Sequence, residues 1–364
     1  MKKWMVINAL ISLLIGGFAL ADMQGEPAYK VGVYYYPGWR NDLLGGVSKR
    51  PWDAIGKFSE RKPKLGFYDD GNDEVVNTQI GWMHDNGLSF VAFDWYWNAK
   101  LGVLKSQSVD AYLRSPNRSK IQFVLNWCNH TEFPQSADEV DRMVRFWAQN
   151  YLKRPEYLRV NGQPVVFVFL ARLLDEHAAA FGTTTNALLA RAQQVAHQEG
   201  LPGIMFVGGV GTNSPSVKLD GGNGFQAFSA YNYQGPGTYT FDGSRRLSHS
   251  YAELDQGYRD QWNWMFKNSP VPFIVPMSAG WDKRPWGGTT EDPLHDNSES
   301  TPQEFEAHLR AAKALMDEHP QQSLRMGVIC CWNEFGEGSF VEPTQSASFS
   351  YLERVKAVFG QPTK

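Results

Sequence analysis

The sequence predicts a single (β/α)₈ barrel, of the TIM-barrel type, with extended loops on its C-terminal face. Short apolar segments rich in β-branched and aromatic residues recur eight times, helix-like stretches lie between most of them, and no linker divides the 364 residues. Alternating strands and helices are typical of parallel α/β folds, and barrels of this type reach this length as one domain. A doubly wound open sheet is the alternative. It would need a glycine-rich phosphate turn after the first strand, and the turn there, YYYPGWRND, lacks one.

The eight apolar segments are nearly continuous, as expected for parallel strands that are buried on both faces. The predicted strands are residues 30–39, 89–97, 121–127, 164–170, 204–210, 226–233, 272–281 and 325–334. Loops at 40–72, 211–225 and 282–300 are rich in Gly, Asp, Asn and Pro, and each follows a predicted strand. We therefore expect these loops on the face of the barrel that carries active sites.

Helical patterns between the strands have recognisable ends. The predicted helices are residues 73–87, 136–152, 183–200 and 301–319. Ser136 with Glu139, and Thr301 with Glu304, have the spacing of a capping box, and Gly200 is a natural helix end. Pro302 follows its cap at the first helical position, where proline is favoured.

The first 21 residues differ from the rest. Lys2 and Lys3 precede an apolar stretch that ends in Ala19-Leu20-Ala21, which is the pattern of a secretory signal peptide. We therefore predict a signal peptide over residues 1–21 and a catalytic barrel over 22–364. An uncleaved N-terminal anchor is the alternative. The prediction implies a secreted or periplasmic protein that has no membrane contact after cleavage.

Composition narrows the classes of partner. The net charge is -3 and the basic residues are scattered, so nucleic acid is not expected as a partner. Cys128, Cys330 and Cys331 fall in or just after apolar runs and are predicted to be buried thiols rather than disulfide partners. The acidic stretch 69–74 lacks the full spacing of a calcium loop and is predicted to be a polar loop that ends in a helix cap. We expect a monomer that needs no metal or cofactor.

Large aromatic residues alternate with polar ones where the predicted strands end. The 13 Trp and 15 Tyr exceed the usual needs of a core, although a generous core would also account for them. Aromatic rings suit sugar faces, and Asp, Asn and Glu suit sugar hydroxyls, so we predict a carbohydrate site. The alternative for His130 is a hydrogen-bonding residue of a loop. The alternative for Asp282 is a residue that caps a turn. The candidate substrate-binding residues are Tyr36, Trp39, Asp94, Trp95, Tyr96, Asn126, Trp127, His130, Tyr231, Asn232, Trp281, Asp282 and Asn333.

The stretch CWNEFGEGSF supplies the candidate catalytic pair. Glu334 ends the last predicted strand, and Glu337 lies three residues further on, among aromatic and glycine residues. Burial and mutual repulsion can push the pKa values of two such carboxyls apart, so that one serves as acid and the other as base. Glycoside cleavage uses such a pair. A solvated loop is the alternative for a lone glutamate pair.

Several stretches together resemble glycoside hydrolase family 99 and its bacterial WbsX-type relatives, which are often labelled glycosyltransferases. They are YYYPGW, GFYDDGNDEVVNTQIGWMHDNGLSFVAFDWYWN, LNWCNH, YLRVNGQPVVFVF, SAYNY, GWDKRP and WNEFGEGSFVEPT, and they span residues 34–344. The last stretch is similar to the family pattern Asn-Glu-Trp-x-Glu-Gly followed by Glu-Pro. Phe335 stands where the family has Trp, and Gly336 stands where family 99 has His.

The resemblance implies a (β/α)₈ barrel with retaining, endo-acting α-mannosidase chemistry. By motif position, Glu334 would act as base on the 2-hydroxyl of the sugar to give a 1,2-anhydro sugar, and Glu337 would be the general acid. Tyr231 would match the family's tyrosine near the anomeric carbon, and Tyr36 a first-strand tyrosine of the pocket. Two other functions stay open: a glycosyltransferase of polysaccharide biosynthesis and a non-catalytic carbohydrate-binding barrel.

Overall fold

A computed structural model describes residues 28–44, 47–131, 133–211, 220–233, 250–286 and 298–360. The predicted signal peptide lies outside these residues. Each of the eight predicted strand segments contains a strand, which confirms the strand pattern. They are β1 Lys30–Tyr35, β2 Phe90–Asn98, β3 Gln122–Trp127, β4 Gln163–Val168, β5 Met205–Gly209, β6 Ala227–Ser229, β7 Val275–Ser278 and β8 Met326–Cys330.

The eight strands are parallel and follow one another around a nearly closed barrel. The sheet runs from β6 through β5, β4, β3, β2, β1 and β8 to β7. A parallel bridge between Phe228 and Phe273 joins the two ends of this sheet. Sequential neighbours with helical crossovers are the arrangement of a (β/α)₈ barrel, so the predicted fold class is confirmed.

Helices cover the outside of the barrel. They are α1 Pro51–Ile55, α2 Asp73–Asp85, α3 Gln107–Arg114, α4 Ala137–Trp147, α5 Ala171–Ala180, α6 Thr185–Gln198, α7 Tyr251–Asn268, α8 Pro302–Glu318, α9 Pro320–Ser323 and α10 Ser350–Phe359. Thr301 and Glu304 form the predicted capping box at the start of α8. At α4 only half of the box forms, because the Ser136 side chain accepts from the Glu139 amide while the Glu139 carboxylate binds the indole N–H of Trp97 instead.

Short hairpins extend the barrel on its C-terminal side. Gly102–Leu104 pairs with the end of β2, and Asn333–Glu334 pairs with Ser339–Phe340 just after β8. A third hairpin joins Asp42–Leu44 to Val47–Lys49. On the opposite side of the barrel, Arg159–Val160 pairs antiparallel with the N-terminal end of β4. The hairpin after β8 matters for function because it carries the candidate catalytic pair.

The cysteine prediction was partly wrong. Cys128 is a free, buried thiol as expected. Cys330 and Cys331 are joined by a disulfide between chain neighbours, at the buried end of β8. Adjacent half-cystines give no spacing pattern that would set them apart from two small buried hydrophobes. Among the helices of the described residues, none combines the length and the apolarity needed to cross a membrane.

Candidate active site

The ends of β2 and β3 send alternate side chains to opposite faces of the barrel wall. Asp94 lies opposite Asn126 in the strand register, and the Asn126 amide donates to Asp94 Oδ1 at 2.8 Å. The next pair in register, Trp95 and Trp127, packs edge-on against Trp147 of α4. Because side chains alternate along a strand, the two tryptophans face the helices when Asp94 and Asn126 face inward. Trp95 and Trp127 thus pack against α4, and substrate contact at these two residues stays a prediction.

A single hydroxyl links two acidic groups inside the barrel. Tyr231, just after β6, lies 3.1 Å from Asp94 Oδ2 and 3.0 Å from Glu334 Oε1 through its hydroxyl oxygen. A phenol has one hydrogen, so it can donate to one carboxylate at a time, while its oxygen can accept from the other if that group is protonated. All three groups are satisfied when Asp94 and Glu334 hold one proton between them.

The hairpin after β8 sets the positions of Glu334 and Glu337. Glu334 lies in its first strand and is 6% exposed, whereas Glu337 lies in the turn and is half-buried. The Glu337 amide donates to the Glu334 carbonyl at 3.1 Å, and the Glu337 carbonyl accepts from the Asp282 amide at 2.6 Å. The turn is thus closed internally and held to the loop that follows β7.

Burial raises the pKa values of all three carboxyl groups, Asp94, Glu334 and Glu337. It raises the pKa of Asp94 to about 7 and the pKa of Glu337 to about 7. Burial, followed by the charges of Glu337 and Asp94, raises the pKa of Glu334 well above its ordinary value. Water is largely excluded from this cluster, so charging all three groups together is unfavourable. The cluster therefore holds at least one exchangeable proton near neutral pH, as acid–base catalysis requires.

Two tyrosines and a lysine border the acidic cluster. Asn333 holds the backbone of Tyr36 at both ends, because its Oδ1 accepts from the Tyr36 amide at 2.9 Å and its Nδ2 donates to the Tyr36 carbonyl at 3.0 Å. The Lys105 ammonium lies over the rings of Tyr36 and Tyr96, 5.1 and 5.0 Å from their centroids. Tyr36 is half-buried, Tyr96 is 8% exposed and Lys105 is exposed. Asn333 is fully buried and positions Tyr36, and its contact with substrate stays a prediction.

Trp39 belongs to a stack of rings beside the cluster. Its indole N–H donates to the Asn333 carbonyl at 2.9 Å, and its ring stacks on Trp52 with centroids 4.1 Å apart. The side chain of Trp39 is fully buried, and its contact with substrate stays a prediction. The sequence shows that this residue follows β1, but not that Trp52, on α1, covers it.

Asp282 is held in a buried network of ion pairs. Its carboxylate lies 2.6 Å from Arg61 Nη2 and 2.5 Å from Arg284 Nη2, and both Asp282 and Arg61 are fully buried. The two arginines hold the pKa of Asp282 below its ordinary value despite its burial. Substrate contact at Asp282 stays a prediction. The partner Arg61 lies 221 residues away, beyond the reach of a local pattern.

The remaining predicted residues lie around the same end of the barrel. Asn232 is half-buried, and its amide bonds to Ser339 and Tyr258. His130 is exposed, and its ring packs 4.4 Å from that of Phe169. Trp281 is 3% exposed, and among the described residues its buried indole N–H has no hydrogen-bond partner. Substrate contact at Asn232, His130 and Trp281 stays a prediction.

Sequence reasoning missed three residues at this site. Lys105, Arg61 and Trp286 lie in loops with no motif of their own. A signal was available only for Trp286, which closes the segment that begins at Trp281.

Within the described ranges, no cluster of three His, Cys, Asp or Glu side chains has the geometry of a metal site.

Comparison with known proteins shows the family to which this chain belongs. A family model described as Glycosyltransferase WbsX matches residues 56–355, which is most of the chain. This protein belongs to the WbsX family. The predicted resemblance is thereby confirmed at the level of the family. Two curated relatives, each named "Uncharacterized protein WxcX" and from two strains of Xanthomonas campestris pv. campestris, are 23% identical over 358 residues, which is 91% of this chain and 49% of theirs. The WbsX-family chain thus spans about half the length of these relatives.

Solved structures share the fold of this WbsX-family protein. A glycoside hydrolase-like protein is 16% identical with a TM-score of 0.68, covering 93% of this chain and 95% of its own. The family 99 endo-α-mannosidase of Bacteroides thetaiotaomicron is 18% identical with a TM-score of 0.62, covering 91% and 95%. The family 1 β-glucosidase of Thermotoga maritima is 12% identical with a TM-score of 0.54, covering 93% and 98%. At these identities the similarity establishes the barrel fold only.

Proposed function

We propose that this WbsX-family protein is a glycoside hydrolase that cleaves glycosidic bonds within a polysaccharide or glycan. One observation carries the proposal: Glu334 and Glu337 lie together at the C-terminal end of the barrel, and Tyr231 links Glu334 to Asp94 through hydrogen bonds of 3.0 and 3.1 Å. The glycosidases among the proteins of similar fold support it. The family 99 endo-α-mannosidase supports an α-mannoside-like linkage, cleaved within the chain, as the first substrate to test.

The proposed reaction retains the configuration at C1 through two displacements. In the first, Glu334 removes the proton of the 2-hydroxyl, the resulting oxygen attacks C1, and Glu337 protonates the departing glycosidic oxygen. The product is a 1,2-anhydro sugar. In the second, Glu337 takes a proton from water, which opens the three-membered ring at C1, and Glu334 returns its proton to O2. The two inversions give net retention, and each carboxyl ends in its starting protonation state.

Carboxyl variants test this function directly. General acid–base catalysis contributes roughly 10²–10⁴-fold per group, so Glu334→Gln and Glu337→Gln should each lose at least that much activity on a cleaved glycan. The two losses need not multiply, since the groups act as a unit. A substrate with a good leaving group needs little protonation and should partly rescue Glu337→Gln but not Glu334→Gln. Full activity of both variants would contradict the assignment.

The nucleophile is tested with altered substrates. If the 2-hydroxyl attacks C1, a 2-deoxy or 2-fluoro analogue of a cleaved substrate should be nearly inert with the wild-type enzyme. Rapid turnover of such an analogue would exclude the anhydro sugar and favour a conventional pair of carboxylates. Proton NMR of the first product formed would show whether the configuration at C1 is retained.

The family description favours a glycosyltransferase as the second candidate. A transferase would consume a nucleotide sugar, so release of nucleoside diphosphate on adding a panel of donors and acceptors would support it. Hydrolysis of glycans without any nucleotide would favour the hydrolase.

We further propose export to the periplasm or medium after cleavage at Ala21. N-terminal sequencing of the recovered protein should then begin at Asp22, and intact Met1 in cytosolic protein would contradict export.

A further inference from the structure

The indole of Trp286 lies at the edge of the site, in the loop after β7. It is 42% exposed, and within the described ranges only Phe67 and Leu101 are comparably exposed large apolar side chains. An exposed indole offers a large, flat apolar face on which a ligand can bind. The proposed acid–base chemistry makes no use of this ring.

Gly336 brings Trp286 against the catalytic turn. A Cβ atom placed on Gly336 would lie 1.8 Å from Trp286 Cε2 and 1.9 Å from Nε1, which is far inside van der Waals contact. The residue that separates Phe335 from Glu337 must therefore be glycine for the indole to lie where it does. Because Gly336 directly precedes Glu337, the indole is adjacent to the turn that carries the proposed general acid.

The indole of Trp286 stacks on the buried indole of Trp39. Trp286 stacks on Trp39 with an interplanar angle of 17° and centroids 5.9 Å apart, and Trp39 stacks on Trp52 at 24° and 4.1 Å. Trp39 is fully buried and Trp52 is 8% exposed, so Trp286 is the exposed end of a row of three nearly parallel rings. Packing against the indole of Trp39, which is itself stacked on Trp52, limits the rotation of Trp286 and preserves a flat apolar surface for a ligand.

We propose that Trp286 is the binding platform for the sugar on the leaving-group side of the cleaved bond. This inference rests on the proposed function, because it takes Glu337 as the group that protonates the departing oxygen. The departing sugar must lie beside Glu337, and the C–H face of a neutral pyranose is complementary to an exposed indole. The platform would favour a pyranose that offers such a face over a leaving group without a ring.

The test compares matched substrates in Trp286→Ala and Phe67→Ala. Phe67 is the exposed aromatic at the other end of the same ring cluster, 5.1 Å from Trp52, so its loss controls for disturbance of the stack. The substrates are α-linked mannobioses, glucobioses and galactobioses, and the corresponding glycosyl fluorides, which carry no leaving sugar. We expect Trp286→Ala to lose roughly tenfold or more in kcat/KM for the cleaved disaccharide beyond any loss for its fluoride, a size typical of one apolar pocket contact. Phe67→Ala should show no such difference.

Equal losses on disaccharide and fluoride, or no loss at all, would overturn the platform and leave Trp286 a structural residue.

Carbohydrate binding by Trp286 can also be measured without hydrolysis. In the Glu334→Gln background, gels containing yeast mannan should retard the protein, and adding Trp286→Ala should abolish most of that retardation. If the wild type cleaves nothing but this loss of retardation is seen, the hydrolase proposal and the leaving-group role both fail, and Trp286 is a carbohydrate-binding surface only. Absence of both cleavage and retardation would overturn both.

Discussion

At the scale of single residues, the hydroxyl of Tyr231 offers the sharpest test of the acidic cluster. Its hydrogen bonds lower the pKa values of Asp94 and Glu334 against the upward effect of burial. In Tyr231→Phe both pKa values should rise, so the ionised form of the proposed base Glu334 is lost at a higher pH. A hydrogen bond to a charged group is worth about 1.5–3 kcal/mol, so the acid limb of the kcat/KM profile should move up by roughly one to two pH units.

Tyr34→Phe is the matched control for this prediction. Its hydroxyl is also buried and its ring lies 4.7 Å from that of Tyr231, but it donates to the carbonyl of Ala230 rather than to a carboxylate. This variant should leave the acid limb in place. An unshifted limb in Tyr231→Phe, or an equal shift in both variants, would show that the hydroxyl of Tyr231 does not set the ionisation of Glu334.

The sequence predicted single residues unevenly, for physical reasons. The two-residue period of a strand assigns Asp94 and Trp95 to opposite faces, so the packing of Trp95 and Trp127 against α4 could be predicted from the sequence. The surroundings of Asp282 and Asn333 could not be predicted in this way. Their partners, Arg61 and the backbone of Tyr36, lie 221 and 297 residues away in the chain, and only the folded barrel brings them together.

At the scale of elements, Arg61 ties together the two loops that form the site. From the short helical turn Ser59–Arg61, its Nη1 donates to the carbonyls of Asp282 and Phe335, both at 3.0 Å. Arg61→Ala would leave the buried carboxylate of Asp282 with Arg284 alone, and the carbonyls of Asp282 and Phe335 without their donor. Breaking a buried pair costs about 3–5 kcal/mol. The free energy of unfolding in urea should fall by that order. Arg40→Ala breaks the exposed pair with Asp69 and should cost less than about 1 kcal/mol. Equal costs would contradict this role.

The element that follows β8 also carries a buried acid that makes stability depend on pH. Glu342 accepts from Tyr68 at 2.6 Å and from Gln79 of α2 at 3.1 Å, and burial raises its pKa from 4.5 to about 8. Its contribution to stability is complete below pH 4.5 and is lost as pH rises towards about 8, because the folded protein retains a proton that the unfolded chain releases. Relative to wild type, Glu342→Gln should therefore become more stable from pH 5 to pH 8.

Thermal unfolding at pH 5, 6.5 and 8 measures this difference. Each unit of pKa shift corresponds to about 1.4 kcal/mol, so the relative gain should be clear in Tm. Glu353→Gln, which alters an exposed carboxylate on α10, should show a difference from wild type that is constant across the same pH range. A constant difference for Glu342→Gln as well would mean that Glu342 is ionised in the folded protein.

At the scale of the whole molecule, the alternation of apolar segments and helices was sufficient to predict the barrel. Each predicted strand overlaps a real one, because continuous apolar runs of this length are stable only when buried on both faces. The predicted ends were less accurate. β6 covers Ala227–Ser229 within the predicted 226–233, since the polar residues after Ala230 leave the strand to form the site. Local patterns thus predict the order of strands but not where the last strands turn away from the sheet.

The closing seam of the barrel, between β6 and β7, should be its least protected part. In the part of the chain that the structure describes, two backbone hydrogen bonds join these strands, from Phe228 to Pro272 and from Ile274 to Phe228, each 2.9 Å long. β2 and β3, in contrast, are in register over six residue pairs. Local opening needs less free energy where fewer bonds must break together. In native-state hydrogen exchange, the amides of Phe228 and Ile274 should therefore exchange well before that of Val124, which lies on the side of β3 that bonds to β2. Simultaneous exchange at the three amides would show instead that the closed barrel opens as one cooperative unit.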